Sequence, residues 1–170
     1  MADWPRQSWL EAEPERARRE RDEMKRVAPE MAWLDDDPAG GWEGLAPIWP
    51  FERSTPTGLD TLLEGRRLRV RVFYSQGFPM VQPLLLPLDP DPPRDRRIVH
   101  SWHLNGDGSL CLLQTAYAWD GRETAADLVA KASGWFIEYL LRECEAIEAM
   151  TENGISVDTS LDQLIEELGE

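Results

Sequence analysis

Cysteine is scarce in this chain: Cys111 and Cys144 are the only two among 170 residues. Two cysteines do not build a disulfide framework. Long apolar runs are missing too. Nothing approaches the roughly 20 consecutive apolar residues that span a bilayer, and Met1 to Leu10 lacks the apolar stretch of a secretory leader. These absences predict a cytoplasmic protein with no membrane partner, whose thiols stay reduced. Positive charge is also short, with 18 Lys and Arg against 32 Asp and Glu, a formal net charge of −14. A protein that neutralises phosphates needs the opposite sign, so nucleic acid is set aside as a partner. An acidic surface does suit a basic protein partner.

What is present is a globular composition, 42% hydrophobic and 29% charged, with eight tryptophans. The length favours one domain, or one domain with a tail. We expect a domain over residues 1–154 and, over 155–170, an acidic C-terminal tail or short helix. From Glu143 onward the chain has no Lys or Arg. Leu161, Leu164, Ile165 and Leu168 fall on one side of a helix over Ser160 to Leu168, which either packs on the domain or serves as a docking element.

Ser8 to Pro29 reads as one helix, with Pro14 early and strong helix formers after it. Six of the 18 basic residues lie here: Arg16, Arg18, Arg19, Arg21, Lys25 and Arg26. Pairing at i,i+4, as in Glu15 with Arg19 and Asp22 with Arg26, is one use for them. Docking an acidic partner is the other. Trp42 to Phe51 is apolar but holds Pro47 and Pro50, which predicts an edge strand or an irregular segment. Leu68 to Ser75 is the clearest strand, with Leu68, Val70, Val72 and Tyr74 on one face. Gly77-Phe78-Pro79 turns the chain into a second apolar run, Met80 to Leu88, and Asp89 to Arg97 reads as a loop. Sequential strands with short connections predict an antiparallel meander. Thr124 to Asp127 has the form of a capping box with Asp in place of Glu. Apolar residues then recur at helical spacing through Trp135, Tyr139, Cys144 and Ile147, with Gly134 as a place where the helix divides. Cys144 lies in that apolar pattern, which predicts a buried, inert thiol.

The chemistry is concentrated in His100 to Leu112. Asn105-Gly106-Asp107-Gly108 is dense turn sequence, and it delivers Ser109-Leu110-Cys111-Leu112 in extended form. The only two histidines, His100 and His103, lie within eleven residues upstream of Cys111. A nucleophilic cysteine needs an accessible thiol and a nearby group that moves protons or stabilises charge. A cysteine between leucines is also, commonly, a small buried hydrophobe. Two histidines and a cysteine make no standard zinc spacing, so no metal is assigned, and no cofactor either. A dyad of Cys111 and His103 in a cysteine hydrolase is a further reading.

This segment resembles the ubiquitin-conjugating (E2) enzymes, whose active cysteine follows a His-Pro-Asn turn within Gly-x-Ile-Cys-Leu. Gly108-Ser109-Leu110-Cys111-Leu112 is similar to that run. Trp119, eight residues after Cys111, and Thr124, five further on, match the family's tryptophan and the start of its crossover helix. Gly77-Phe78-Pro79 with Pro83 resembles the elements between the family's third and fourth strands. The resemblance covers residues 8 to 150. It departs in the oxyanion position, where His103 stands eight residues before the cysteine and Asn105 six before. It departs again where Leu113 replaces a common acidic residue, leaving Asp120 as the nearest acid downstream. Its drift from eukaryotic motifs resembles bacterial E2-like proteins of antiphage defence operons.

The resemblance implies an α+β, UBC-like fold: an N-terminal helix, a four-stranded antiparallel meander, an active-site loop and C-terminal helices packed on the sheet. It implies an enzyme that takes a ubiquitin-like protein from an E1-like activating enzyme as a Cys111 thioester and passes it to an amine on a target protein. His103 or Asn105 would supply the oxyanion donor, Trp119 would pack under the active-site loop, and the basic N-terminal helix would bind the activating enzyme. A noncatalytic binding module of the same fold is the alternative. Such variants usually lack the cysteine.

Overall fold

The alternation in Leu68 to Ser75 sets the centre of the fold. In the computed structural model, which describes residues 7–98, 100–112 and 119–170, Arg69–Phe73 forms β3. Val70 and Val72 are fully buried on one face, with Leu68 and Tyr74 continuing that face beyond the strand ends. Three more strands complete an antiparallel sheet in sequence order: β1 (Met31–Leu34), β2 (Gly41–Leu45), β3 and β4 (Leu84–Asp89). The architecture is α+β. Of the edge strand or irregular segment expected over Trp42 to Phe51, the edge strand is corrected: β2 lies inside the sheet, with Trp42 opposite Trp33 on β1 and Val72 on β3, and residues 46–51 are irregular. Pairing ends at Leu45, before Pro47, so neither proline has to donate to the ladder. Pro87 does sit within a strand, but β4 is an edge, where a missing N–H is tolerated.

The N-terminal segment is two helices, α1 (Trp9–Ala12) and α2 (Pro14–Val27), not one. The break falls at Glu13, because Pro14 takes the first position of α2 and cannot continue a preceding turn. The expected pairs Glu15–Arg19 and Asp22–Arg26 do not form. Arg16 pairs with Glu20 at 3.1 Å, Arg26 with Glu23 at 2.6 Å, and Arg19 donates to the Arg122 carbonyl at 2.7 Å. Between β2 and β3 comes the short helix α3 (Leu59–Leu63), and after β4 the short α4 (Arg94–Ile98), in part of the region expected as loop.

The long helix α5 (Ala125–Glu143) starts at a capping box: Thr124 accepts from the Asp127 N–H, and Asp127 accepts from the Thr124 N–H at 2.7 Å. Gly134 does not divide it. The glycine is there for close approach, since a Cβ at this position would stand 2.5 Å from Cγ2 of Ile155. The helix ends at Glu143, before the expected stop at Gly154. Glu20 ties α5 to α2 and the sheet. Its buried carboxylate accepts from the first N–H of α5, at Ala125, at 2.9 Å, and from the Tyr74 hydroxyl at 2.7 Å. That hydroxyl in turn accepts from the Trp42 indole at 3.1 Å. An otherwise unpaired helix N–H thus finds an anion. Burial pushes the Glu20 carboxyl up from its ordinary range, against the backbone and tyrosine bonds that favour the anion.

The acidic end of the chain packs on this body. The short helix α6 (Asp162–Glu167) buries Ile165 completely, and Ile155 ahead of it is buried as fully. Arg53 holds Asp162 in a two-pronged pair at 2.6 and 2.9 Å. No described helix is long and apolar enough to cross a membrane.

Candidate functional site

The turn Asn105 to Gly108 closes a small hairpin. Leu104 bridges Leu110 in antiparallel fashion, the Asn105 N–H donates to the Ser109 carbonyl at 2.8 Å, and the Cys111 N–H donates to the His103 carbonyl at 2.8 Å. Gly108 has φ of +89°, and a Cβ there would meet the Arg97 guanidinium at 3.0 Å, so this corner requires glycine. Asp107 accepts from both the N–H and the hydroxyl of Ser109, which hold its carboxyl below the usual range. Leu104 and Leu110 are buried, and the Leu110 N–H donates to the Leu85 carbonyl of β4 at 2.9 Å. The sheet edge and two leucine anchors therefore fix the strand that carries the thiol.

The root of the hairpin is fixed from the other side by α5. The Trp135 indole donates to the Trp102 carbonyl at 2.9 Å, and Arg142 donates to the Ser101 hydroxyl at 2.9 Å. Two guanidinium groups stand over the Trp102 ring, Arg142 at 4.0 Å and Arg96 at 4.3 Å from its centroid. Between this clamp and the hairpin sits His103, with φ of +50°, a sparsely populated region for a residue with a side chain. Strain of this kind persists only where surrounding contacts impose it.

Cys111 and His103, both half-buried, wall one cavity between the hairpin and α5, together with Leu112, Trp135 and Glu138. Burial and the charge of Arg142 push the His103 imidazole below its ordinary value of 6.5, so the ring is neutral at neutral pH and able to accept a proton. Glu138, 1% exposed, has its carboxyl raised by burial although it accepts from the Thr151 N–H at 2.7 Å. Glu152, Asn153, Gly154 and Ser156 line the same cavity.

The structure does not bring Asn105 into this cavity. Its carboxamide donates to the Ser109 hydroxyl at 2.9 Å, at the exposed tip of the hairpin. His100 is exposed and lies outside the cavity wall as well. Asp120 forms a turn, accepting from the Arg122 N–H at 2.9 Å, and does not line the Cys111 cavity. Trp119 packs on the 78–79 turn: its indole donates to the Pro79 carbonyl at 2.6 Å and its ring lies 5.9 Å from that of Phe78. Leu113 falls outside the described residues.

Cys144 corrects an expectation. It is exposed, at the C-cap of α5, with its thiol donating to the Leu141 carbonyl at 3.3 Å. The apolar pattern reached it in sequence, but the helix ended one residue earlier and the chain turned away. Sequence reasoning missed Glu138 and the 152–156 wall entirely. A glutamate inside an otherwise apolar stretch of α5 was the available signal.

Among the described residues, no group of three or more His, Cys, Asp or Glu side chains is placed to hold a metal ion. Comparison with protein-family models, with curated proteins and with solved structures finds no match to this chain.

Proposed function

We propose that the protein is an E2-like conjugating enzyme that carries a ubiquitin-like protein, or another protein C-terminus, as a thioester on Cys111. One observation carries this reading: a half-buried thiol shares a cavity with a neutral histidine, on a hairpin fastened to the edge of a four-stranded antiparallel meander. The chain order of basic helix, meander, cysteine hairpin and capped long helix supports the UBC-like comparison. So do the exposed Arg18, Arg19, Arg21, Lys25 and Arg26 of α2, which suit an acidic face of an E1-like partner.

In this reading His103 accepts the Cys111 proton, and the thiolate attacks the acyl thioester held by the activating enzyme. A new C–S bond forms to Cys111, the old one breaks, and the departing thiolate takes a proton. An amine on the target protein then attacks the Cys111 thioester. The setting this implies is bacterial antiphage conjugation, in the cytoplasm, without nucleic acid, membrane or cofactor.

The test mixes the protein with an E1-like enzyme from its own gene neighbourhood, ATP and the ubiquitin-like protein. A reductant-sensitive adduct is expected on a gel run without thiol, and Cys111→Ala should lack it. No adduct with a competent activating enzyme would sink the reading. A second reading, a cysteine hydrolase using Cys111 and His103, is favoured by their shared cavity. Peptide cleavage by the protein alone would support that instead.

A further inference from the structure

We infer that residues 151–154 form a flap on the Cys111 cavity, latched by Glu138, which opens to let an incoming group sit beside Cys111 and His103. Glu138 is thus a positioning residue that acts through the flap. That the incoming group is an acyl group rests on the thioester reading above; the flap itself does not.

The size of the cavity sets the requirement. Its volume is about 20 Å³, and a single water needs roughly 10–15 Å³. The carbonyl and α-carbon of even a terminal glycine do not fit beside a thiol and an imidazole in that space. One wall has to give way.

Two of the three walls are fixed. The hairpin is anchored by buried Leu104 and Leu110 and by the Leu110 N–H on the Leu85 carbonyl. The wall from α5 is the buried body of a long helix. The third wall, with Glu152, Asn153 and Gly154, is a four-residue span between two buried anchors, Met150 and Ile155. It holds no helix or strand, and Glu152 and Asn153 are exposed. Gly154 ends it with φ of +80°, a conformation open to glycine that suits a hinge.

The span is held closed by a narrow margin. The Thr151 N–H donates to the Glu138 carboxylate at 2.7 Å, and that carboxylate belongs to a residue 1% exposed. The Thr151 hydroxyl oxygen is buried as well but, among the described residues, has no hydrogen-bond partner. Closure therefore makes one strong bond to a carboxylate and strands one hydroxyl away from water. The two effects are similar in size and opposite in sign. Burial also raises the Glu138 carboxyl, against the Thr151 and Ile155 backbone bonds, so keeping the charged latch dry has its own cost. A segment balanced in this way opens locally without unfolding the domain, as active-site flaps do.

The experiment labels both thiols of the full chain with N-ethylmaleimide and reads each by peptide mass. Cys144, exposed at the C-cap of α5, is the internal standard. Glu138→Leu keeps the bulk and removes the acceptor, which orphans the Thr151 N–H in the closed state. The ratio of Cys111 to Cys144 labelling should rise about tenfold. Thr151→Val keeps the latching N–H and removes the stranded hydroxyl, so the ratio should fall about tenfold. A merely structural Glu138 would not give shifts of opposite sign. The wild type supplies a reading without substitution: once maleimide occupies Cys111, the Thr151 amide should exchange with deuterium about tenfold faster while the amides of α5 hold. Labelling ratios unmoved by both substitutions, or a Thr151 amide as protected after labelling as before, would overturn the flap. In a parallel arm a short peptide thioester replaces the maleimide, and uptake should follow the same order of variants. A wild type that takes up no acyl group sinks the thioester reading, and the maleimide arm still decides the flap.

Discussion

The two cysteines of this protein sit under opposite conditions. Cys144 is the more exposed, at the open end of α5, with one backbone carbonyl for company. Cys111 is half-buried, yet it lines a cavity together with a histidine and the 152–156 segment. Exposure alone makes a thiol available to any reagent. Enclosure makes it selective, because the walls decide what reaches the sulfur and how it is oriented. The difference comes from where each thiol lies relative to α5. Cys111 shares a cavity with Trp135 and Glu138 from the body of the helix, while Cys144 stands at its C-cap.

That contrast can be broken in graded ways. The largest effect should come from deletion of the thiols: Cys111→Ala should abolish a thioester adduct, while Cys144→Ala should carry it at the wild-type level, as read on a non-reducing gel. An adduct lost in both would mean that the contrast is false. Next comes Gly134→Ala. The new methyl would stand 2.5 Å from Ile155, so the 152–156 wall must move. Overpacking costs roughly 1–3 kcal/mol, and the better helix preference of alanine offsets up to about 1 kcal/mol of it. A net loss of about 1 kcal/mol is therefore expected in urea unfolding. Cys111 should also be alkylated faster and Cys144 at an unchanged rate.

A smaller effect should follow pH. The folded His103 is depressed below 6.5, so between that value and its folded one the unfolded chain binds more protons. Its contribution to stability is complete above 6.5 and is lost as pH falls through 6.5 toward the folded value. Denaturation at pH about 7.5 and about 5 should show a steeper loss for the wild type than for His103→Asn. Equal slopes would mean that the imidazole is not held neutral beside Cys111. The smallest effect should belong to Cys144→Ser, which should change stability by less than about 0.5 kcal/mol.

Local signals carried the sequence reading a long way. The alternation in β3, the Thr124–Asp127 box, the turn before Cys111 and the apolar side of α6 are each written within a few residues and are each seen in the fold. What escaped was written across distance. Strand β1 holds only four residues, too few for alternation to register, and β2 was obscured by prolines that lie beyond its paired part. The glycine at 134 looked like a break because its reason, Ile155, is 21 residues away. Glu20 stands among many charges on its helix with no local mark of burial, and its partners Tyr74 and Ala125 lie 54 and 105 residues along the chain. At the site, the cysteine and His103 were legible because they are neighbours in sequence. Glu138 and the 152–156 wall were not, because α5 and the loop that follows it bring them in from far along the chain.

That late loop gives the cavity an order of assembly. The ribosome releases the meander, the hairpin and Cys111 well before residues 151–165. Until Ile155 settles against Gly134 and Arg53 captures Asp162, the thiol faces open solvent on that side. A chain that stops short of residue 151 would therefore leave the sulfur without part of its enclosing wall.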